Sequence, residues 1–171
     1  MDFVPNHVAR QYHSDSKPAG VKDLGETDNT ELAFSAQNNF YYIPNESLHL
    51  DNIIGNKASY IETPARVSGN DVFNAWPSIN DWYETIKLNY GIDYQNGRST
   101  HFSPIPDTWK KMTEILLFWA GKGVDGFRCD MTELVPPAFW AWAIPSVREQ
   151  YPKTLFLAEI YQPHRYGEYL Y

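Results

Sequence analysis

The hydrophobic pattern divides the chain into an irregular stretch and a regular one. From residue 8 to about residue 100, short aromatic runs such as FYYIP at 40–44 are separated by Asn, Asp, Ser, Gly and Pro. This spacing follows neither the helical period nor the strand period. Because a loop of this length in a compact protein is usually functional or forms a subdomain, the pattern predicts a long irregular insertion with a few short strands.

The second stretch predicts alternating helices and strands. The predicted elements are a helix at 109–121, a strand at 124–129, a helix at 136–150, a strand at 154–160 and the start of a helix at 163–171. The first helix places apolar residues at helical spacing and ends at Gly121. Neither strand alternates with polar residues, which is typical of buried parallel strands with both sheet faces covered. The sequence therefore predicts an α/β fold.

Composition narrows the function classes. The chain has 171 residues, of which 43% are hydrophobic and 20% charged, enough for one globular core. Its net charge of −7 is the wrong sign for binding a phosphate backbone, so no nucleic-acid partner is expected. No apolar run is long enough to span a membrane. Aromatic residues make up 16% and suit stacking on sugars, although additional core aromatics explain them equally well. A single cysteine excludes an internal disulfide.

Two acids follow the two predicted strands. Asp130 and Glu159 are 29 residues apart, about one βα repeat, so their carboxylates are expected in one crevice at the carboxyl ends of the strands. Paired carboxylates cleave glycosidic bonds when one protonates the leaving oxygen and the other attacks. The structural alternative is that Glu159 pairs with Arg128 while Asp130 caps the next helix.

Arg128 stands two positions before Asp130, so their side chains are expected on the same side of the strand. A cation beside Asp130 favours an ionised nucleophile and a protonated acid at Glu159. Asp125 is interpreted as a surface turn residue, and Glu133 as an acid in the first turn of the next helix, stabilised by the helix dipole.

Three segments together resemble a known family. DFVPNH at 2–7, GFRCD at 126–130 and LFLAEI at 155–160 resemble the first three signature regions of glycoside hydrolase family 13, the α-amylase family. The resemblance implies an incomplete (β/α)₈ TIM barrel, about strands 3 to 5. Residues 1–7 would end strand 3, residues 8–100 would be a domain B-like insertion, and residues 101–171 would run from helix 3 through strand 5 into helix 5.

The resemblance also implies a role for each matching residue. Asp130 would be the nucleophile, Glu159 the general acid/base, Arg128 the arginine beside the nucleophile, His7 a sugar contact, Asp2 a structural acid, and Asn6 a calcium ligand in members that have the ion. No cofactor is required, and calcium is the one ion implied. His7 and Asn6 end the strand-like segment 1–7, although a histidine near proline is often a loop residue.

The implied function is a retaining glycoside hydrolase of carbohydrate metabolism that acts on α-1,4 bonds in starch or maltooligosaccharides. The alternatives are a transglycosylase of the same family and a non-catalytic carbohydrate-binding relative. Two departures qualify the resemblance. MTEL at 131–134 stands where many amylases carry Lys-His, and the His-Asp pair that supplies the third acid has no counterpart. We therefore expect a fragment that is inactive when expressed alone.

Overall fold

The computed structural model describes residues 1–54 and 60–169. The chain divides into two compact units. The sheet unit comprises Met1–Asn6 and Asp107–Tyr171, and the loop unit comprises His7–Pro106. The boundaries predicted from the sequence, after residue 7 and after residue 100, fall near the ends of the loop unit.

The sheet unit is built on three parallel strands. Numbered in chain order, its elements are β1 (Asp2–Phe3), α2 (Asp107–Gly121), β8 (Gly126–Cys129), α3 (Pro137–Gln150), β9 (Leu155–Ala158) and the short α4 (Tyr166–Tyr169). The strand order is β1-β8-β9, with both pairs parallel. Helix α3 connects β8 to β9, the βαβ connection that parallel neighbours require. The predicted α/β fold with a parallel sheet is confirmed.

Strand β8 separates the core from the opposite face of the sheet. Phe127 and Cys129 are each 2% exposed, while Arg128 between them points the other way, because successive side chains alternate across a strand. Phe127 and Trp140 of α3 each lie 6.2 Å from the ring of Phe3 in edge-on geometry. The core of the sheet unit therefore lies between the sheet and its helices.

Strand β9 departs from the prediction of a buried strand. Leu155 and Leu157 are 68% and 67% exposed, so the expectation that both sheet faces are covered is wrong. The reason is that only the Phe156 side of β9 meets the core, where Phe156 lies 5.7 Å from Phe127. Leu155 and Leu157 lie on the opposite face of the sheet, which carries Arg128. The apolar run predicted the strand correctly, but it could not predict which faces are covered.

The chain after β9 turns before it becomes helical. A 3₁₀ turn at Pro163–Arg165 leads into α4. Residues 170 and 171 of the predicted third helix lie outside the described residues.

The loop unit contains short antiparallel strand pairs. Its elements are β2 (His7–Ala9) paired with β5 (Thr85–Lys87), β3 (Tyr42–Ile43) with β4 (Ala65–Arg66), β6 (Ile92–Asp93) with β7 (Ser99–Thr100), and the short helix α1 (Asp51–Ile54). Because these strands are short, side chains also accept hydrogen bonds from backbone groups. The carboxylate of Asp28 accepts hydrogen bonds from the backbone N–H groups of Asn39 and Phe40, at 2.8 and 3.0 Å. Backbone N–H groups that bond to side chains are satisfied without a regular helix or strand, so this segment has no regular hydrophobic period.

A buried ion cluster crosslinks the loop unit. The carboxylate of Glu62 accepts hydrogen bonds from Arg10 and from Arg66, each at 2.7 Å. The side chains of Arg10 and Glu62 are only 5% exposed. Removing one member of such a cluster strands a buried charge and costs about 3–5 kcal/mol, so the cluster ties together segments that are distant in sequence.

Within residues 1–54 and 60–169, no helix combines the length and the apolar character needed to cross a membrane.

Candidate active site

Three of the residues selected from the sequence meet through one guanidinium group. Arg128 Nη1 donates to Asp130 Oδ1 at 2.9 Å, and Arg128 Nη2 donates to Glu159 Oε1. The parallel register places Arg128 opposite Leu157, two residues before Glu159, so the ends of β8 and β9 bring both acids to the same arginine. The sheet unit therefore forms the expected carboxylate pair at the carboxyl ends of neighbouring strands.

Asp2 joins the same cluster from β1. Its carboxylate lies 3.5 Å from Arg128 Nη1, since Asp2 and Arg128 are register partners. The side chain of Asp2 is 65% exposed, while those of Asp130 and Glu159 are 23% and 19% exposed. The carboxylates of Asp130 and Glu159 are thus partly buried but still accessible to a ligand.

Glu159 is held by more donors than Asp130 among the described contacts. The backbone N–H of Met131 donates to Glu159 Oε2 at 3.0 Å, and the phenol of Tyr161 donates to Oε1 at 2.8 Å. The Met131 amide contributes most to lowering the pKa of Glu159 below its ordinary value, followed by the Tyr161 phenol, and Arg128 adds to the effect. Each of these donors stabilises the ionised carboxylate.

The expectation that Arg128 keeps Glu159 protonated while Asp130 is ionised is therefore wrong for this arrangement. The guanidinium forks between the two carboxylates instead of serving Asp130 alone. Of the structural alternative, the pairing of Glu159 with Arg128 is present. The capping of the next helix by Asp130 is not. The turn after β8 begins at Met131 and α3 begins after Pro136, and neither has a side-chain cap.

The two carboxyl groups also interact with each other. Asp130 is among the groups that lower the pKa of Glu159, after the Met131 amide and the Tyr161 phenol. Both carboxylates also contact the same guanidinium group.

Glu133 has a different position from the one predicted. It lies in a 3₁₀ turn, Thr132–Leu134, that precedes α3, so it is not in the first turn of that helix. The residue is 5% exposed, and its carboxylate oxygens accept the backbone N–H groups of Tyr161 and Gln162, each at 3.3 Å. Glu133 thus anchors the segment that carries Tyr161. Asp125 is exposed, as its interpretation as a surface turn residue requires.

Sequence reasoning missed Tyr161 and the anchoring role of Glu133. Tyr161 stands two residues after Glu159, beyond the end of β9, where no periodicity indicates its direction. A buried acid opposite backbone amides leaves no pattern in a single sequence. The one available signal was position, since both residues flank the predicted strand ends.

The remaining predicted residues, Asn6 and His7, belong to different units. Asn6 is buried in the sheet unit at 1% exposure. His7 belongs to the loop unit, where its ring packs at 5.3 Å from that of Trp82. Asn6 offers one amide oxygen, whereas calcium takes about six to eight oxygen ligands. Across 1–54 and 60–169, no three His, Cys, Asp or Glu side chains are grouped to hold a metal ion. Calcium binding by Asn6, which the resemblance implies, stays a prediction.

The chain is similar to several maltosyltransferases. It is 51% identical over 53 residues to the alpha-1,4-glucan:maltose-1-phosphate maltosyltransferase of Chlorobaculum tepidum, a match that covers 31% of this chain and 8% of the relative. The enzyme of the same name from Cereibacter sphaeroides is 37% identical over 91 residues, covering 50% of this chain and 15% of the relative. Each match therefore spans a small part of the relative's own length.

These matches confirm the resemblance found in the three motifs. They support the resemblance to glycoside hydrolase family 13 over the residues that match. A solved α-amylase from Lactobacillus plantarum is 36% identical, covering 48% of this chain and 16% of that chain, with a TM-score of 0.37. No family model matches the chain.

Proposed function

We propose that this family 13 segment carries the catalytic carboxylates of a retaining enzyme that transfers glycosyl units between α-1,4-glucans. The observation that carries the proposal is the Asp130–Arg128–Glu159 cluster, in which two partly buried carboxylates contact one guanidinium. A non-catalytic binding relative has no use for such a cluster at the end of a parallel sheet.

The three parallel strands are proposed to be strands 3 to 5 of a (β/α)₈ barrel, with the loop unit as its domain B. The exposed Leu155 and Leu157 support this assignment. They occupy the Arg128 face of the sheet, and in a closed barrel that face points inward and is filled by bulky apolar side chains. In this assignment His7 contacts the sugar and Asp2 is the structural acid of strand 3.

Transfer is favoured over hydrolysis by the relatives, whose names specify an α-1,4-glucan and maltose 1-phosphate. The two reactions share the first half of the mechanism and differ only in the acceptor. We therefore infer a glycosyl phosphate as the donor, the terminal hydroxyl of an α-1,4-glucan as the acceptor, and hydrolysis by water as the competing outcome.

In the first step, the carboxylate of Asp130 attacks the anomeric carbon. The bond from that carbon to the phosphate oxygen breaks, Glu159 in its protonated form donates its proton to that oxygen, hydrogen phosphate leaves with the electron pair, and a glycosyl ester forms on Asp130. In the second step, the now ionised Glu159 removes the proton from the acceptor hydroxyl, whose oxygen displaces Asp130 at the same carbon, so that Glu159 is protonated again for the next cycle. Two inversions give net retention. Arg128 stabilises the Asp130 carboxylate as leaving group.

The test is a transfer assay on the full-length protein that contains this chain. With maltose 1-phosphate and maltohexaose, we expect phosphate release to match extension of the glucan by maltosyl units, followed by mass spectrometry. Asp130→Asn removes the nucleophile and should lower the transfer rate by at least about a thousandfold. The matched control is Asp125→Asn, an exposed acid just before β8, which should keep the parental rate.

Two results would contradict the proposal. Shortening of maltohexaose in the absence of a phosphate donor would establish the hydrolase, which was the first expectation from sequence. Undiminished transfer by the Asp130→Asn protein would remove the assignment of the nucleophile altogether.

A further inference from the structure

The loop unit exposes the large aromatic side chain of Trp76 to solvent. Trp76 is 56% exposed, although the neighbouring Ala75 is fully buried. The indole lies flat against the imidazole of His49, with ring centroids 3.5 Å apart and an interplanar angle of 3°. Because the imidazole covers one face of the indole, the exposed area lies on the opposite face and at the ring edge.

The stacked pair is fixed to a hydrogen-bonded backbone. The N–H of His49 donates to the carbonyl of Ala75 at 2.9 Å, which joins the two segments directly beside the rings. The N–H of Trp76 donates to Asn74 Oδ1 at 2.8 Å. The indole is therefore held in place before any ligand arrives, so binding to it requires little further ordering.

The surroundings have the chemistry of a sugar site. Asn74, Ser78 and Asn80 are exposed polar residues that flank Trp76 in sequence, and none of them carries a charge. A glucose unit presents an apolar C–H face, which packs on a flat aromatic ring, and a rim of hydroxyls, which bond to neutral polar groups.

We propose that Trp76, backed by His49, is a carbohydrate-binding platform of the loop unit that binds a glucose unit of an α-1,4-glucan. The identity of the sugar rests on the proposed function. The platform adds a site for holding the glucan to the carboxylate cluster that reacts with it.

The experiment is a titration of the 171-residue chain with maltoheptaose, followed by NMR through the indole N–H signals. The Trp76 signal is identified by its absence from the Trp76→Ala spectrum. We expect this signal to shift on titration, and Trp76→Ala should weaken the affinity by about three- to tenfold, the effect of one aromatic stack. His49→Ala should weaken it less, because the indole remains but is no longer held flat.

Trp119→Ala is the matched control. Trp119 is 39% exposed, but its ring meets Phe118 edge-on at 86°, so no ring lies flat behind it. This variant should bind maltoheptaose like the parent chain.

Three outcomes would overturn the platform. These are an unchanged maltoheptaose affinity in Trp76→Ala, an equal loss in Trp119→Ala, and a change in self-association of Trp76→Ala without a change in sugar binding, which would make this surface a protein contact. None of them affects the transfer assay of the full-length protein, which fails only if the carboxylate assignment is wrong.

Discussion

At the scale of single residues, the site depends on how one arginine is shared. Arg128 contacts Asp130, Glu159 and Asp2, and hydrogen bonding to Asp130 is the main reason that its own pKa is raised above the ordinary value. An arginine suits this position because its planar fork can serve two carboxylates at once. A lysine would offer a point charge without that geometry.

Tyr161 is expected to set the pH dependence of the reaction. Its phenol donates to Glu159 and helps to lower the pKa of that carboxyl. In Tyr161→Phe the carboxylate loses this donor, so the pKa of Glu159 should rise toward its ordinary value. Because Glu159 must be ionised to take the proton of the acceptor, the acidic limb of the pH–rate profile for the second step should move to higher pH, which transfer rates from the glycosyl ester to the acceptor, measured across pH in the full-length enzyme, will reveal.

Tyr166→Phe is the control for this substitution. Tyr166 is another exposed tyrosine of the same connection, at 47%, and it should leave the acidic limb in place. An acidic limb that stays fixed in Tyr161→Phe would mean that the Tyr161 phenol does not tune Glu159.

The sequence predicted the grouping of Asp130, Arg128 and Glu159 because all three follow from strand position. Side chains two apart share a face, and the ends of neighbouring parallel strands share an edge. It offered an Arg128–Asp130 contact and an Arg128–Glu159 pair as alternatives and did not predict that both are formed, since the reach of a long side chain depends on the register between β8 and β9. A single sequence does not contain that register.

At the scale of elements, the turn after β8 and the turn after β9 support each other. Glu133 from the first accepts two backbone amides of the second, and the phenol of Tyr169 in α4 donates to the Glu133 carbonyl at 3.2 Å. The segment that carries Tyr161 is therefore positioned by a buried carboxylate rather than by regular secondary structure.

Replacement of Glu133 by Gln is expected to destabilise the sheet unit. The amide nitrogen of glutamine cannot accept a backbone N–H, so one of the two backbone amides loses a hydrogen bond to a charged acceptor, which typically contributes about 1.5–3 kcal/mol. Urea unfolding of the chain followed by circular dichroism measures the change in the free energy of unfolding.

Glu114→Gln, at an exposed position of α2, provides the comparison and should change stability little. Equal stabilities for the two variants would argue against the anchoring role of Glu133.

At the scale of the whole molecule, the chain leaves part of its sheet uncovered. Leu155 and Leu157 expose apolar surface beside a strand edge, a combination that promotes association between chains. The α/β class could be predicted from the alternation of helices and strands. The exposure could not, because an apolar run is equally compatible with a strand covered on one face or on both.

The 171-residue chain is therefore expected to self-associate through β9. Replacing both Leu155 and Leu157 with Thr keeps β-propensity while removing the apolar surface, and it should shift the chain toward the monomer. Light scattering after size-exclusion chromatography at several concentrations measures this shift.

The paired control replaces Val21 and Leu32 with Thr. These residues are 39% and 46% exposed and lie in the loop unit, so association should persist in this variant. A parent chain that stays monomeric at every concentration would contradict the prediction.

The alternation along β8 has a consequence for quality control in the cell. Phe127 and Cys129 fill the core while Arg128 serves the carboxylates, so a slip of one residue in pairing would bury the guanidinium and expose the core side chains. A mispaired chain would then expose hydrophobic surface, which chaperones and proteases recognise. A one-residue slip of β8 that moves Arg128 away from the carboxylates is therefore expected to expose the chain to degradation as well, so a stable but inactive form should not accumulate.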